Sequence, residues 1–388
     1  MKIKDWGAPT AAVAIGLVVL CVAVFTYEAD PGIWSGLSLG DLGPLHFGKP
    51  QAAAPTAHPS RTAGGGGAGS SSKNGGNGKS VNPPAGKILI SAYTGGTNPA
   101  KVIAQLNASK VKVSVVSWVF FWDAVETSPN GYNWTRLDAA VAAAGASGRK
   151  SYIRVVAGLH SPAWIYASGV PAMIVPGSCL SGGPNSFGTI KLPATWNTTY
   201  VALWTTFIKA LGARYDRNSN LFAASIGGGG ILGEMQLPHC PTLLKQFGYS
   251  DAALLAAWKQ FELAGRFAFP NHSTSLAIEE PLGFGTSNVM PPLIAYTRAS
   301  FGGRLWLQQN GLRDLTRPKG GYYQQLLSAS VYTKVGWQMW SGGNTAAQLK
   351  AAFRIAIMSR ASYVEVYLKD IVNPLNASSL QYLAVGSL

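Results

Sequence analysis

Acidic side chains are scarce in this sequence, and the scarcity makes their positions informative. The 388 residues include 16 Asp and Glu against 31 Lys and Arg, which gives a formal net charge of +15. The basic residues are scattered, with no run of Lys and Arg and no recognisable nucleic-acid-binding module. We therefore expect no nucleic-acid partner, because such an interface needs its cations gathered on one face.

Cysteine is also rare, and its spacing argues against two classes of protein. Cys21, Cys179 and Cys240 are too few for a disulfide-rich scaffold, and they fit no zinc motif. No cluster of metal-ligating residues stands out either, so we expect no metal and no other cofactor. Outside the cytoplasm, Cys179 and Cys240 can form one bridge between two loops; a pair of buried thiols is the alternative.

One uncharged stretch near the N-terminus is long enough to span a membrane. Residues 9–27 carry no charge and follow Lys2 and Lys4. This pattern predicts a transmembrane anchor over residues 1–30, with its N-terminus in the cytoplasm and the rest of the chain periplasmic or extracellular. A cleaved signal peptide is the alternative, but no clean small-x-small cleavage site follows the apolar run.

The next segment, residues 31–86, has little periodic apolar pattern. It is rich in Ala, Pro, Gly, Ser and Asn, with the stretch GGGGAGSSSKNGGNGKS at its centre. Such a composition buries too little apolar surface to become ordered. It predicts a disordered, flexible linker between the membrane and the domain that follows.

From residue 87 to residue 388, short apolar strands alternate with longer helical stretches. We predict strands at 87–93, 111–122, 150–158, 221–226, 275–280, 304–310, 334–340 and 363–368. Eight strands alternating with helices are the pattern of a (β/α)8 TIM barrel. A doubly wound open sheet is the alternative, but SAYTGGTN after the first strand is a poor match to a phosphate-binding turn.

In such a barrel, the functional site lies at the carboxyl ends of the strands. The alternation of side chains along each strand predicts which residues point into the barrel. The polar residues predicted to point inward include Arg154, Glu279, Gln308, Asn310, Gln338 and Glu365. Several of the few carboxylates are thus expected to gather at one rim.

The stretch 221–240 combines a buried strand with four glycines and a carboxylate. Gly227 to Gly230 follow the strand, and Glu234 comes shortly afterwards. Residues without side chains allow a ligand to approach the backbone, and the acid then points at that ligand. A flexible turn with a solvated acid is the alternative. A phosphate site is a weaker alternative, because no Gly-Lys-Ser/Thr accompanies the glycines.

Paired carboxylates in a cleft walled with aromatic rings are suited to cleaving a glycosidic bond. One carboxyl group protonates the leaving oxygen, and the other attacks the anomeric carbon or activates water. Indole rings stack on sugar faces, while amides, Arg and His bind hydroxyl groups. The residues expected to bind a carbohydrate substrate are Trp118, Arg154, His160, Trp164, Asn310, Gln338 and Trp340. Arg154 has an alternative role as an ion-pair partner of Glu365 or Glu279 inside the barrel.

Residues 122–164 resemble the second and third units of retaining glycoside hydrolases of the large (β/α)8 clan, which includes β-galactosidase-like and xylosidase-like barrels. The shared features are a Trp followed by an acid, Gly-x-Tyr-x-Trp, a helix that opens on Leu-Asp, Gly-Arg-Lys, a strand with Arg, and Ser-Pro-x-Trp. The resemblance continues through RYD at 214–216 to Glu234. It implies that Glu234, after the fourth strand, is the general acid/base.

The sequence departs from this clan at two positions. Gly233 precedes Glu234 where the clan usually has Asn, and Gln338 stands at the strand-seven position of the nucleophile. An amide cannot act as that nucleophile, so the second carboxylate must be Glu365 or, failing that, Glu279. The alternative is a barrel that has lost hydrolysis and serves as a glycan-binding or scaffold module at the cell envelope.

Overall fold

The computed structural model of the chain describes residues 88–96, 98–180, 188–282, 287–314, 316 and 321–385. The predicted transmembrane segment at 1–30 and the predicted linker at 31–86 lie outside these residues. Within the part that is described, no helix has the length and apolar character needed to cross a membrane.

Eight parallel strands close into a barrel, as the alternation of strands and helices predicts. Each strand pairs with the next along the chain, and the eighth pairs with the first. The strands are β1 Leu89–Gly95, β2 Val115–Phe121, β3 Lys150–Val156, β4 Leu221–Ser225, β5 Ser273–Ala277, β6 Leu305–Leu312, β7 Val335–Met339 and β8 Tyr363–Tyr367. The (β/α)8 prediction is confirmed, and the open sheet is excluded because the barrel closes.

A long helix follows each strand of the barrel, and the loops contain short helices and two hairpins. The long helices are α1 Pro99–Ala108, α2 Thr135–Ala146, α3 Thr198–Tyr215, α4 Asp251–Ala268, α5 Met290–Phe301, α6 Gly321–Ala329, α7 Ala346–Met358 and α8 Ala377–Val385. Short helices occupy Trp122–Val125, Trp164–Ala167, Pro241–Gln246 and Leu368–Val372. Two antiparallel hairpins pair Glu126–Ser128 with Gly131–Tyr132, and Ala172–Val175 with Ile190–Pro193.

Local sequence signals explain where the helices begin. The side chain of Asn197 accepts hydrogen bonds from the first backbone N–H groups of α3, and Ser250 caps α4 in the same way. Thr345 and Gln348 form a reciprocal capping box at the start of α7. These caps fix the residue at which α3, α4 and α7 begin after the preceding loop.

The amino-terminal half of the barrel interior is filled by side chains. Val115, Tyr152, Ala223, Trp306 and Tyr363 form a buried cluster there, separate from the larger core between the barrel and its helices. The ring centroids of Tyr152 and Tyr363 lie 6.0 Å apart in an edge-to-face arrangement. The barrel is therefore closed at this end, and a ligand can enter only from the carboxyl ends of the strands.

Cys179 and Cys240 are joined by a disulfide bond, which decides between the two alternatives left open by the sequence. Their Cα atoms lie 5.3 Å apart, and the bond closes a sequence separation of 61 residues. It joins the long connection after β3 to the connection after β4. The His239 N–H also donates to the Cys179 carbonyl oxygen at 2.6 Å, so the bridge fixes the loop that carries Glu234.

A carboxyl group is buried between α4 and α5, far from the rim. Glu262 is fully buried, and its Oε1 accepts a hydrogen bond of 2.7 Å from the Thr297 hydroxyl group. Its Oε2 has no hydrogen-bond partner among the described residues. Burial raises the pKa of Glu262 to about 8, against an ordinary value of 4.5, and outweighs the lowering effects of Thr297 and Lys259.

We expect Glu262 to make the stability of the barrel fall as the pH rises. The unfolded chain releases this proton near its ordinary pKa, whereas the folded chain keeps it until about pH 8. The contribution of protonated Glu262 to stability is therefore fully present below the unfolded pKa. It is lost as the pH rises from the unfolded pKa to the folded pKa. Glu262→Gln should raise the free energy of unfolding at pH 8 by about 3 kcal/mol and change it little at pH 4.5. Urea unfolding at both values measures this, with Asp314→Asn as an exposed control. Equal effects of Glu262→Gln at the two values would contradict the expectation.

Candidate active site

Between the aromatic cluster and the carboxyl ends of the strands, the barrel interior is lined by polar side chains. The side-chain amide of Gln308 positions two of them. Gln308 on β6 accepts hydrogen bonds through Oε1 from the hydroxyl groups of Tyr363 at 2.7 Å and Tyr152 at 3.2 Å. Its Nε2 therefore faces the rim and donates to Glu365 Oε2 at 2.6 Å and to Asn310 Oδ1 at 2.7 Å. The two tyrosines thus set the orientation of the amide, which in turn positions Glu365 and Asn310.

Arg154 on β3 lies between two carboxylates. Its Nη1 donates to Glu365 Oε2 and, at 2.6 Å, to Gln338 Oε1, while its Nη2 lies 3.4 Å from Glu234 Oε1. The guanidinium carbon also lies 5.4 Å from the ring centroid of Tyr93. Burial opposes the charge, but Glu365 raises the pKa of Arg154 above its ordinary value. The ion pair with Glu365 inside the barrel is therefore confirmed, and the role of Arg154 in binding a substrate stays a prediction.

The structure contradicts Glu365 as the second reacting carboxylate. Its side chain is 0% exposed, in the middle of β8, and is held from the rim side by Arg154. A carboxylate so enclosed cannot reach a glycosidic bond. The side-chain alternation correctly predicts that Glu365 points inward. Glu365 lies below the rim, however, and belongs with Arg154, Gln308, Asn310 and Gln338 to the layer of buried polar side chains that we call the floor.

Glu234 lies at the rim on a tightly folded loop. Gly230 and Gly233 adopt positive φ angles of 64° and 74°, and a Cβ on Gly233 would meet the backbone at Ala157. The Ile231 N–H donates to the Gln236 carbonyl oxygen at 2.9 Å, which closes the loop. Gly233 therefore stands before Glu234 because the loop needs its backbone conformation there.

The Glu234 carboxylate is open to solvent on one side and bound to the floor on the other. Its side chain is 24% exposed, and Oε1 accepts a hydrogen bond from Asn310 Nδ2. Burial raises the pKa of Glu234, while Arg154 and Asn310 lower it and Glu365 raises it. Burial outweighs the two lowering effects, so the pKa of Glu234 lies above its ordinary value.

Glu279 lies at the rim, close enough to Glu234 for the two charges to interact. Strand β5 ends at Ala277, earlier than the sequence predicts, so Glu279 follows the strand end and is partly exposed. Burial raises the pKa of Glu279 well above its ordinary value, and the negative charge of Glu234 raises it further. Two carboxyl groups that influence each other in this way are brought to one place by β4 and β5.

The glycine run before Glu234 accommodates tryptophan side chains. Gly227 to Gly230 are buried, and a Cβ on Gly228 would collide with the indole of Trp204 from α3. A Cβ on Gly229 would come within 2.8 Å of Trp258 from α4. Gly228 and Gly229 therefore make room for α3 and α4, so helix packing accounts for these two glycines without a bound ligand.

The predicted binding residue Trp118 is also contradicted. Its side chain is 0% exposed, belongs to the core between barrel and helices, and donates from Nε1 to Ser151 Oγ at 3.3 Å. In β2 the inward face is the one that carries Ser117, whose hydroxyl pairs with Ser91 at 2.7 Å. Trp118 points to the opposite face and cannot contact a ligand in the barrel.

Two other predicted residues, His160 and Trp164, lie in the connection after β3. The ring of Trp164 is partly exposed and donates from Nε1 to the Glu126 carbonyl oxygen at 3.2 Å. The His160 ring stacks on Phe121 at the end of β2, with 3.6 Å between centroids. Burial lowers the pKa of His160 to about 4, so the ring is neutral at pH 7 and offers a hydrogen-bonding group at the edge of the mouth.

The remaining predicted residues come from β6 and β7. Asn310 and Gln338 are buried, with 7% and 4% exposure, and join the polar floor through Glu234 and Arg154. Trp340 follows β7 directly and is partly exposed at the rim. The structure therefore connects Arg154, Glu234, Asn310, Gln338 and Glu365 through hydrogen bonds and ion pairs, and it leaves out Trp118.

Sequence reasoning missed Gln308 and Tyr93 as parts of the site. The sequence predicts Gln308 on the inward face of β6 with Asn310, but not as a residue of the site. Its role depends on the hydroxyl groups of Tyr152 and Tyr363 from other strands. Tyr93 lies in β1, two residues before its end, and packs edge-to-face on Tyr367 of β8, with centroids 5.0 Å apart. No local pattern reveals such contacts between distant segments.

Comparison with known proteins supports the fold. No family model matches the sequence, and no curated protein matches it. Among solved structures, the catalytic domain of a β-amylase from Paenibacillus polymyxa is similar with a TM-score of 0.54 at 11% identity, over 78% of this chain and 99% of that one. Endo-glycoceramidase II from Rhodococcus sp. is similar with a TM-score of 0.48 at 14% identity, over 76% and 78% of the two chains.

At this level of identity, the similarity to the β-amylase domain establishes the fold alone. The chain has the closed parallel barrel that is found among glycoside hydrolases. Function has to be argued from the side chains at the rim.

Proposed function

We propose that this chain is a glycoside hydrolase that cleaves O-glycosidic bonds of an oligo- or polysaccharide with Glu234 and Glu279. The observation that carries the proposal is the pair of partly exposed carboxyl groups whose charges interact at the rim. Hydrolysis of a glycosidic bond needs two such groups, one with a proton and one without. The glycoside hydrolase-like barrel and the partly exposed Trp340 after β7 support the same reaction class.

The surroundings of the two groups assign their roles. Glu234 is beside Arg154 and accepts a hydrogen bond from Asn310, and both neighbours stabilise its ionised form. Glu279 has a strongly raised pKa, and the charge of Glu234 adds to the shift. Glu279 is then the general acid that protonates the leaving oxygen, and Glu234 is the nucleophile or the base that activates water. The family resemblance implies that Glu234 is the general acid/base, whereas the proposal gives that role to Glu279.

The position of Arg154 and Asn310 beneath Glu234 has a further consequence for the reaction. Positive charge develops on the sugar ring in the transition state, so an ionised Glu234 stabilises that state. Arg154 and Asn310 favour the ionised form of Glu234, against the effect of its burial, and hold the carboxyl group in one orientation. The floor therefore prepares the carboxylate before the substrate arrives.

Membrane anchoring through residues 1–30 and an extracytoplasmic location of the barrel are part of the proposal. The disulfide between Cys179 and Cys240 supports this location, because such bonds persist mainly in oxidising compartments. A barrel tethered outside the cytoplasm would meet polysaccharides of the cell surface or its surroundings.

Incubation of the full-length protein with a panel of aryl glycosides and polysaccharides tests the proposal. We expect release of reducing ends from at least one substrate, with retention of anomeric configuration if Glu234 is the nucleophile and inversion if it is the base. Proton NMR of the fresh product distinguishes these two outcomes. Absence of cleavage across the panel, together with glycan binding, would contradict hydrolysis.

A catalytically inactive glycan-binding barrel is the second candidate, and one observation favours it. Gln338 stands where the resembling clan has its nucleophile, and the amide accepts a hydrogen bond from Arg154. In this case the rim would bind sugar through Trp340 and the amides without cleaving it.

A further inference from the structure

The barrel has a basic face at the end where its strands begin and its long helices end. All but one of the connections from a long helix to the next strand contain Lys or Arg, and Arg266 in the last turn of α4 precedes the remaining one. The fold therefore gathers on one face cations that are scattered along the sequence. The exposed cations of this amino-terminal face, with the first residue of β3 included, are Lys110, Lys112, Lys150, Arg217, Arg304, Lys334 and Arg360.

Contacts between neighbouring connections join these cations into one surface. Lys150 Nζ donates to the Ser219 carbonyl oxygen at 2.6 Å, which links the start of β3 to the connection before β4. Arg304 donates to the Pro270 carbonyl oxygen, which links the connections before β6 and β5. None of the exposed cations forms an ion pair with a carboxylate of the described residues. Their positive charge is therefore not neutralised within this part of the chain.

Negative charge is almost absent from the amino-terminal face. The one acid in its described connections is Asp216, which is 5% exposed and accepts hydrogen bonds from Asn271 N–H and Nδ2 at 3.0 and 2.6 Å. The other end of the barrel carries both charge signs, since exposed cations such as Lys245 lie there beside most of the described carboxylates. The carboxylates that follow a strand end are Asp123, Glu126, Glu234, Asp251, Glu279, Glu280, Asp314 and Asp370. The charge asymmetry along the barrel axis would turn the amino-terminal face toward an anionic surface.

Exposed apolar side chains lie among the cations of this face. Phe267 in the last turn of α4 is 76% exposed, Val331 after α6 is 62% exposed, and Met358 at the end of α7 is 42% exposed. Phe267 also lines, together with Lys209 and Arg217, a groove of about 600 Å³ between α3 and α4. Cations interleaved with exposed apolar groups are the combination that binds an anionic lipid surface.

The chain enters the barrel at the same face. Because β1 begins at Leu89, the residues that precede the domain, with the predicted anchor at 1–30, connect to it at the amino ends of the strands. The exposed apolar groups favour lipid over nucleic acid as the anionic partner. They become buried when they enter the acyl boundary of a bilayer, whereas binding to a nucleic-acid backbone comes from its phosphates.

We propose that the amino-terminal face docks on an anionic phospholipid surface. Phe267, Val331 and Met358 enter the interfacial layer, and the surrounding Lys and Arg side chains pair with lipid phosphates. The strands then run away from the membrane, so that the rim with Glu234 and Glu279 is turned away from the lipid. This inference goes beyond the proposed reaction and does not depend on hydrolysis.

The reactivity of lysine amines in the full-length protein tests the docking. The protein is placed in nanodiscs of phosphatidylcholine alone or with about 30% phosphatidylglycerol, and acetylation at low extent is followed by mass spectrometry. We expect acetylation of Lys112, Lys209 and Lys334 to slow about fivefold or more in the anionic discs. Lys101 and Lys245, which follow strand ends, should change less than about twofold. NaCl at about 0.5 M should remove most of the difference.

Matched substitutions separate the face from total charge and total apolar exposure. Arg217→Gln and Phe267→Ser should each reduce the slowing at the remaining lysines at least about twofold. Arg136→Gln, in the first turn of α2, and Leu375→Ser, 79% exposed after β8, should leave it unchanged. Equal losses in these controls would overturn the proposal, because attraction would then follow total charge or total apolar exposure.

The other outcomes separate docking from the anchor. Retention on neutral discs reports the predicted anchor, whereas the difference between anionic and neutral discs reports the face. Recruitment to anionic discs alone would support docking and contradict the anchor. Equal reactivity of Lys112, Lys209 and Lys334 in the two lipids would overturn docking. Protection of these lysines by a DNA duplex but not by anionic lipid would also overturn it, in favour of a nucleic acid.

Discussion

Glu279→Gln and Glu234→Gln are each expected to lower kcat/KM for a glycoside with a poor leaving group by about 10³-fold or more. The two variants should differ with a 2,4-dinitrophenyl glycoside. This leaving group departs without a proton, so Glu279→Gln should retain most of the activity on it. Glu234→Gln should remain inactive, because neither attack on the anomeric carbon nor activation of water is left.

The pH profile gives an independent test of the same roles. Hydrolysis needs ionised Glu234 and protonated Glu279, so the rate should fall below the pKa of the first and above the pKa of the second. Burial raises both values, and the working range is expected above the ordinary pKa of a carboxyl group. With the dinitrophenyl substrate, Glu279→Gln should lose the alkaline fall and keep the acid one.

The neighbouring carboxylate supplies the matched control. Glu280 follows Glu279 in the chain, is 6% exposed, and accepts a hydrogen bond from Ser287 at 3.1 Å. Glu280→Gln should leave kcat/KM within about threefold of wild type. If Glu280→Gln is as damaging as Glu279→Gln, the loss reflects a disturbed loop, and the role of Glu279 is contradicted.

The barrel could be predicted from the sequence because its evidence is local. Each strand is a short apolar run between longer amphipathic stretches, and each inward residue on β6, β7 and β8 follows from alternation along its own strand. Trp118 shows where this reasoning ends. Strand β2 carries large apolar residues on both faces, as parallel strands covered by helices do, and Ser117 alone was too weak a signal to identify its inward face.

Depth along the barrel axis was harder to predict than direction. Glu365 and Glu279 both point inward by alternation, but Glu365 lies within β8 while Glu279 lies two residues beyond the end of β5. A shift of two residues in a strand boundary moves a side chain by about 7 Å, which separates floor from rim. The packing role of Gly228 and Gly229 could not be predicted for a related reason, since Trp204 and Trp258 come from helices distant in sequence.

The buried pair of Arg154 and Glu365 should contribute more to stability than any surface ion pair. Both side chains are buried, and Glu365 Oε1 has no hydrogen-bond partner among the described residues, so its charge depends on Arg154 and Gln308 at Oε2. Removal of one member of such a pair typically costs 3–5 kcal/mol, because the other is left as an uncompensated buried charge. We therefore expect Arg154→Met to lower the free energy of unfolding by about 4 kcal/mol.

A second substitution should reverse part of this loss. In Arg154→Met with Glu365→Gln, no buried charge remains at the floor, and the amide still accepts the hydrogen bond from Gln308 Nε2. The double variant should recover about 2 kcal/mol relative to Arg154→Met, as measured by urea unfolding. Glu365→Gln alone should cost less than Arg154→Met, since Arg154 keeps Glu234 and Gln338 as partners. Additive losses in the double variant would show that the two groups do not depend on each other, and Glu365 would then need another role than anchoring Arg154 beneath Glu234.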